Sequence, residues 1–175
     1  IYSNINTRVD IYELQKKVRK TQNFTIDLII PSYREEDNIA YVVKDFKNVV
    51  NNIIVANKYS EDKTEQIALK LGAKVISDNY QGYGHALKSG IESSNSDIVV
   101  LAEADGTFRS SDLQKLIHNL MDNDVVQGTR TNPAYIQYKA NMDRPRIFFN
   151  QLYANIISLL WPKNKTHLTD VGCTY

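Results

Sequence analysis

Between Ile26 and Gln127 the chain alternates five short apolar runs with segments whose apolar residues recur at spacings of three and four. The runs are Ile26–Ile30, Ile53–Ala56, Ala73–Ile76, Ile98–Leu101 and Asp124–Gln127. A short apolar run bounded by turn signals reads as a buried strand, and the three-and-four spacing as one face of a helix. Parallel neighbours need a crossover, and a helix is the usual crossover. The expected fold class is therefore α/β, with a mostly parallel central sheet flanked by helices on both faces.

Several boundaries follow from local chemistry. Pro31 is expected to end the first strand. The next helix carries Ile39, Val42, Val43, Phe46, Val49 and Val50 on one face. Gly72 is placed to cap the following helix at its C-terminus. Ser111 and Gln114 have the spacing of a capping box for the helix through Leu113, Leu116, Ile117 and Leu120. A last helix is expected from Arg146 to Trp161, with Phe148, Leu152, Ile156, Leu159 and Leu160 as a broad stripe widened by Phe149, Tyr153 and Ile157. Such a face either packs in the core or lies against a bilayer or a partner. Residues 1–24 read as an N-terminal arm, with a short helix from Asp10 to Arg19 bearing Ile11, Leu14 and Val18. Residues 25–175 form the main domain. Its polar stretch from Gly128 to Arg146 breaks the rhythm, as functional or mobile segments do.

Composition narrows the function classes. A net charge of +1 over 175 residues leaves no footprint of a dedicated nucleic-acid binder. The single cysteine, Cys173, excludes an internal disulfide and a zinc cluster. No run has the length of a membrane-spanning helix, and no signal peptide is expected. The chain starts at Ile1 without a methionine and stops at Tyr175 without an end signal, so a domain truncated at its C-terminus is expected. The cytoplasm is the expected location, with peripheral contact at the cytoplasmic face of a membrane as a further possibility.

The stretch Ser96–Asp112 carries the strongest chemical signal. Its apolar run ends in Glu103 and Asp105, two residues apart, which face the same way on an extended backbone. The C-terminal ends of strands are where open α/β sheets bind ligands. Two carboxylates there suit a hard divalent cation, Mg2+ or Mn2+, set against a diphosphate. The same residues also suit a solvated turn, with Asp105-Gly106 as its turn chemistry.

Four more motifs stand in order around this one: Pro31-Ser32-Tyr33-Arg34-Glu35, Asn57-Lys58-Tyr59-Ser60-Glu61-Asp62-Lys63-Thr64, Gly82-Tyr83-Gly84-His85-Ala86-Leu87-Lys88, and Val126-Gln127-Gly128-Thr129-Arg130. Together they resemble the nucleotide-sugar domain of glycosyltransferase family 2, of GT-A fold, and most of all its dolichyl-phosphate mannosyltransferase and polyprenyl-phosphate sugar transferase group. The resemblance runs from Ile26 to Tyr175.

It implies a donor site made of Pro31, Tyr33, Glu35, Asn57, Gly84, Lys88, Glu103, Ala104 and Asp105, with Asp105 and Glu103 as metal ligands. Arg130 matches a basic residue suited to phosphate. Arg144 and Arg146 resemble the residues that receive an acceptor phosphate. Asp170, in Thr169-Asp170-Val171-Gly172-Cys173, matches the aspartate that serves as general base in relatives with hydroxyl acceptors. The chain departs from the family in several places. Arg34 replaces an asparagine, Asn57 and Lys58 replace aspartates, Tyr59 replaces a glycine, Glu103 replaces an aspartate, and Gly172 precedes Cys173 rather than following it. His85, without a visible partner in sequence, reads as a surface or supporting histidine.

The implied activity is metal-dependent, inverting transfer of a sugar from a UDP- or GDP-linked donor. The favoured acceptor is a polyprenyl phosphate and the competing one a saccharide hydroxyl. A nucleotide-binding scaffold without catalysis is the alternative from another class.

Overall fold

The computed structural model describes residues 24–59, 61–78, 82–120, 123–128 and 144–160. Four strands, β1 (Ile26–Ser32), β2 (Asn52–Lys58), β3 (Lys74–Asp78) and β4 (Ile98–Leu101), form one parallel sheet in the order β3-β2-β1-β4. Five helices follow in chain order: α1 (Ile39–Phe46), α2 (Thr64–Lys70), α3 (Tyr83–Glu92), α4 (Ser110–Leu120) and α5 (Arg144–Leu160).

The central strand β1 is buried along almost its whole length, because helices cover both sheet faces. Leu28 and Ile30 point to one face, in register with Ile53, Val55 and Val100. There they meet Val42, Val43 and Phe46 of α1, Ala68 of α2 and Leu113 of α4. Ile29 points to the other face, where α3 closes on it through Gly90. A Cβ at Gly90 would lie 2.3 Å from Ile29 Cγ2. Burying each large apolar side chain in such a core contributes about 1.5–3 kcal/mol.

The N-terminal ends of the strands are tied by polar clips. Asp97 Oδ2 accepts from Thr25 N–H at 2.8 Å and from Thr25 Oγ1 at 2.7 Å. Asp27 is buried and accepts from Asn52 Nδ2 and Ser94 Oγ, each at 2.7 Å.

Five boundaries differ from the sequence expectation. Pro31 does not end β1, which runs on to Ser32. Ile29 O accepts from Ala102 N–H on the β4 side. Pro31 has the same parity but lies past the last residue paired with β4, so its missing N–H is not needed there. Helix α1 stops at Phe46 and leaves Val49 exposed. Asn51 draws the chain into β2 by donating to Ile26 O and accepting from Ile26 N–H. Asp124–Gln127 is not a strand, and Val125 is exposed. Two adjacent valines are too short a pattern to set a strand register. Ser111 lies inside α4 rather than at its cap. The cap comes from α1, where Asp45 Oδ2 accepts from Ser110 N–H at 2.8 Å. The last helix spans Arg144–Leu160, and Trp161 lies outside the described residues.

Gly72, by contrast, terminates α2 as expected, with φ at +91° and its N–H donating to Leu69 O. The arm helix expected at Asp10–Arg19 lies outside the described residues. Among the described side chains of α5 only Ala154 is buried, while Phe148, Phe149, Tyr153, Leu159 and Leu160 are exposed. No described helix is long and apolar enough to cross a membrane.

Candidate functional site

The strands β1, β2 and β4 all end on one side of the sheet, and the segments that leave them enclose a cleft of about 400 Å³. Pro31, Tyr33 and Glu35 come from the exit of β1, Asn57 from β2, and Glu103, Ala104 and Asp105 from the exit of β4. Stretches far apart in sequence are brought together because each follows a strand of the same parallel sheet.

The β1 exit is a tight bend. Arg34 has φ at +57°, a left-handed conformation rare for residues other than glycine and asparagine. The bend is fastened to the segment after β2. Glu35 N–H donates to Thr64 Oγ1 at 2.9 Å, and that hydroxyl donates to Asp62 Oδ2 at 2.6 Å. Lys63 N–H donates to Glu36 Oε2 at 3.0 Å. Thr64 is fully buried. Asp62 and Thr64, matched in the second motif, thus hold two walls of the cleft together. Ser60 lies outside the described residues.

Asn57 lines the cleft but is 1% exposed. In the orientation its neighbours require, its amide nitrogen donates to Ser32 Oγ at 3.1 Å, Lys58 O at 3.2 Å and Ser32 O at 3.3 Å. These bonds lock the ends of β1 and β2, where Ser32 and Asn57 are in register.

The acidic pair stands after β4 rather than on it. The strand ends at Leu101, and Ala104 and Asp105 sit in a turn. Gly106 takes φ of +76°, and Asp105 Oδ1 accepts from Thr107 N–H at 2.9 Å and from the Thr107 hydroxyl. Both turn chemistry and convergence on the cleft therefore hold for this pair. Glu103 is half-buried and Asp105 exposed. Two carboxylates facing one cleft fit a hard cation with oxygen ligands. Among the described residues no cluster of three or more histidine, cysteine, aspartate or glutamate side chains offers a fuller cage. A cation here would complete its shell with water and phosphate oxygens, as Mg2+ commonly does.

Other expected site residues stand elsewhere. Gly84 and Lys88 lie on α3 outside the cleft lining, and Lys88 Nζ is 3.8 Å from Glu92 Oε1 on the same helix. Arg144 and Arg146 fall in the first turn of α5. Arg130 and Asp170 lie outside the described residues. The cleft also includes Ser32, Lys58, Gly82 and Tyr83, none of which is among the expected donor-site residues. Tyr83 could have been found from its place between two glycines at a helix start.

The model of glycosyl transferase family 2 matches residues 27–174. The chain is similar to protein RfbJ of Shigella flexneri, 34% identical over 112 residues, covering 62% of this chain and 87% of RfbJ. It is also similar to a dolichyl-phosphate hexose transferase of Haloferax volcanii, 32% identical over 106 residues, 59% of this chain and 46% of that one. The chain spans less than half of that relative. Among solved structures, glucosyl-3-phosphoglycerate synthase of Mycobacterium tuberculosis, in complex with Mn2+, UDP and glucosyl-3-phosphoglycerate, aligns with a TM-score of 0.54. That alignment has 24% identity and covers 73% of this chain and 48% of the other, which marks a shared GT-A fold. With the family match running from the first strand to beyond the last described helix, the chain belongs to glycosyl transferase family 2.

Proposed function

We propose that this domain transfers a sugar, with inversion, from a nucleoside-diphosphate sugar to a polyprenyl phosphate. The observation that carries the reading is the convergence of Tyr33 and Glu35, Asn57, and Glu103 and Asp105 from three adjacent strand ends on one cleft.

Tyr33 and Glu35 bind the nucleoside, the ring by packing and the carboxylate by accepting hydrogen bonds. Glu103 and Asp105 hold Mg2+ or Mn2+, which when bound supplies positive charge for the leaving diphosphate. Arg130 adds charge to the same phosphates. Attack from the side opposite the diphosphate inverts the anomeric carbon. Arg144 and Arg146 hold the acceptor phosphate. Such a phosphate is already ionised and needs no strong base, so Asp170 positions it rather than deprotonating it. The similarity to the dolichyl-phosphate hexose transferase of Haloferax volcanii supports a lipid-phosphate acceptor.

The test is calorimetric titration of UDP and GDP with and without Mn2+, on the native chain and on Asp105→Ala, followed by transfer from the preferred donor to a polyprenyl phosphate. Binding that needs the metal and is lost in the variant, with lipid-linked sugar formed, supports the proposal. Binding without transfer to any acceptor indicates a nucleotide-binding scaffold. Transfer to a saccharide hydroxyl, abolished in Asp170→Asn, overturns the acceptor assignment.

A further inference from the structure

We infer that Tyr41 of α1 is a positioning residue for the acidic turn: its ring seats Gly106 and so holds Asp105 in place for a cation. The inference rests on the donor reading above. It adds to that reading a residue outside the cleft lining.

The buried face of α1 is made by Ile39, Val42, Val43 and Phe46, and Tyr41 stands off that face, exposed. Its ring nonetheless touches the turn that follows β4. A Cβ added at Gly106 would lie 3.2 Å from Tyr41 Cδ1 and 3.3 Å from Cε1. The ring therefore lies directly against the Gly106 backbone, at the residue that turns the chain with a φ of +76°. The same ring carries the Arg109 guanidinium, with Cζ 5.2 Å from its centroid, within the reach of cation–π attraction. Asp45 lies four residues on, on the same side of α1. It accepts from Ser110 N–H at 2.8 Å and stands 3.5 Å from Arg109 Nε. One face of α1 thus grips the chain at Gly106, Arg109 and Ser110.

Asp105 is the residue next to that contact. Its side chain is tied on one oxygen only, since Oδ1 accepts both the Thr107 N–H, at 2.9 Å, and the Thr107 hydroxyl. These bonds leave Oδ2 for a metal. They also tie the carboxylate to the turn, so the carboxylate goes wherever the turn goes. Asp105 is exposed, and its place depends on how the turn is seated on the domain. Groups that orient a metal ligand from behind commonly govern metal affinity by about 10–100-fold.

The ring makes this contact, not the hydroxyl, because the atoms of closest approach are Cδ1 and Cε1. Phenylalanine should serve equally. Leucine keeps an apolar side chain but has no flat face for Gly106 and no π system for Arg109. Tyr41 is not part of the buried core cluster, so its replacement leaves that core intact. A turn freed from α1 samples more conformations, and a cation binding Asp105 must then order it.

The experiment measures Mn2+ affinity by electron paramagnetic resonance, with UDP or GDP present, on the native chain, Tyr41→Phe and Tyr41→Leu. Calorimetry of the same nucleotide in EDTA gives the affinity without metal. Tyr41→Phe is expected to match the native chain. Tyr41→Leu should weaken Mn2+ binding by roughly tenfold or more and leave the metal-free nucleotide affinity unchanged. Tyr41→Met, which also lacks a ring, takes its place if Tyr41→Leu does not fold. Native Mn2+ affinity in the ringless variant, or an equal loss in Tyr41→Phe, would overturn the assignment while leaving the metal site intact. So would a fall in metal-free nucleotide affinity as large as the fall in Mn2+ affinity, which marks a loosened cleft. Absence of Mn2+ binding by the native chain with either nucleotide would remove the metal reading and this inference with it.

Discussion

Asp45 of α1 caps α4 at a distance: its Oδ2 accepts from Ser110 N–H at 2.8 Å and lies 3.5 Å from Arg109 Nε. Arg109 in turn stands over the Tyr41 ring of the same α1, 5.2 Å from its centroid. The segment after Asp105 is thereby anchored to the first helix of the domain.

Loss of that cap has a measurable cost. Asp45→Ala should destabilise the domain by about 1 kcal/mol, the usual worth of an N-cap acceptor, and Asp45→Asn by less. Urea denaturation of the three proteins at pH 7 measures it. Equal midpoints for Asp45→Ala and the native chain would show that the contact contributes nothing.

Gly90 is the place where α3 meets the sheet with no room to spare. Alanine ordinarily helps a helix by up to about 1 kcal/mol over glycine. Here the added methyl overlaps Ile29 and should cost about 1–3 kcal/mol. A double-mutant cycle separates the two effects. In an Ile29→Ala background the overlap is gone, and Gly90→Ala should become neutral or stabilising.

Arg34 holds its left-handed conformation at a cost of about 1 kcal/mol or more. Arg34→Asn should therefore raise the unfolding midpoint, because asparagine visits that region more readily. Thermal unfolding of the variant is the check. A lower midpoint would mean that the Arg34–Tyr33 contact outweighs the backbone strain.

Acid should weaken the fold through Asp27. Burial pushes its carboxyl up, but hydrogen bonds from Ser96, Ser94 and Asn52 and the Lys74 charge outweigh that and leave it below the ordinary 3.8. A depressed folded value means stability present above the unfolded value and lost as pH falls through the folded one. The native chain should lose stability below about pH 4, where an unfolded aspartate takes up its proton. Asp27→Asn should be less stable at pH 7, by about 1–3 kcal/mol. Its stability should also fall less steeply between pH 4 and pH 2. Denaturant midpoints across that range decide it.

Legibility in the sequence followed the strength of the local signal. β1, β2, β3 and β4 were readable because each is an apolar run between turn residues, and α1 because Ile39, Val42, Val43 and Phe46 repeat at helical spacing. Boundaries set by distant partners were not. Nothing near Ser110 announces that Asp45 will cap it, and nothing at Pro31 says that β4 has already ended. In the cleft, Pro31, Tyr33, Glu35, Asn57, Ala104, Glu103 and Asp105 were readable as strand-end motifs. Gly84 and Lys88 share a motif with Tyr83, yet helical geometry turns only Tyr83 and Ala86 of that helix to the cleft. Lys58 was visible as a departure from the family pattern, but its seat over Tyr33 depends on a bend that only the backbone reveals.

The Thr25–Asp97 clip and the β1–β4 pairing have a consequence for the birth of the chain. β1 is made first but sits between two strands, and the partner on one side follows Asp97, the clip partner 72 residues after Thr25. Until Leu101 has left the ribosome, the most buried strand of the sheet has an open edge. Exposed strand edges invite pairing with other chains, and long-range parallel pairing closes slowly. The β1–β2–β3 half can assemble early, but the acidic wall of the cleft is secured only when β4 arrives. A polypeptide stalled before that point would be the species most prone to aggregate.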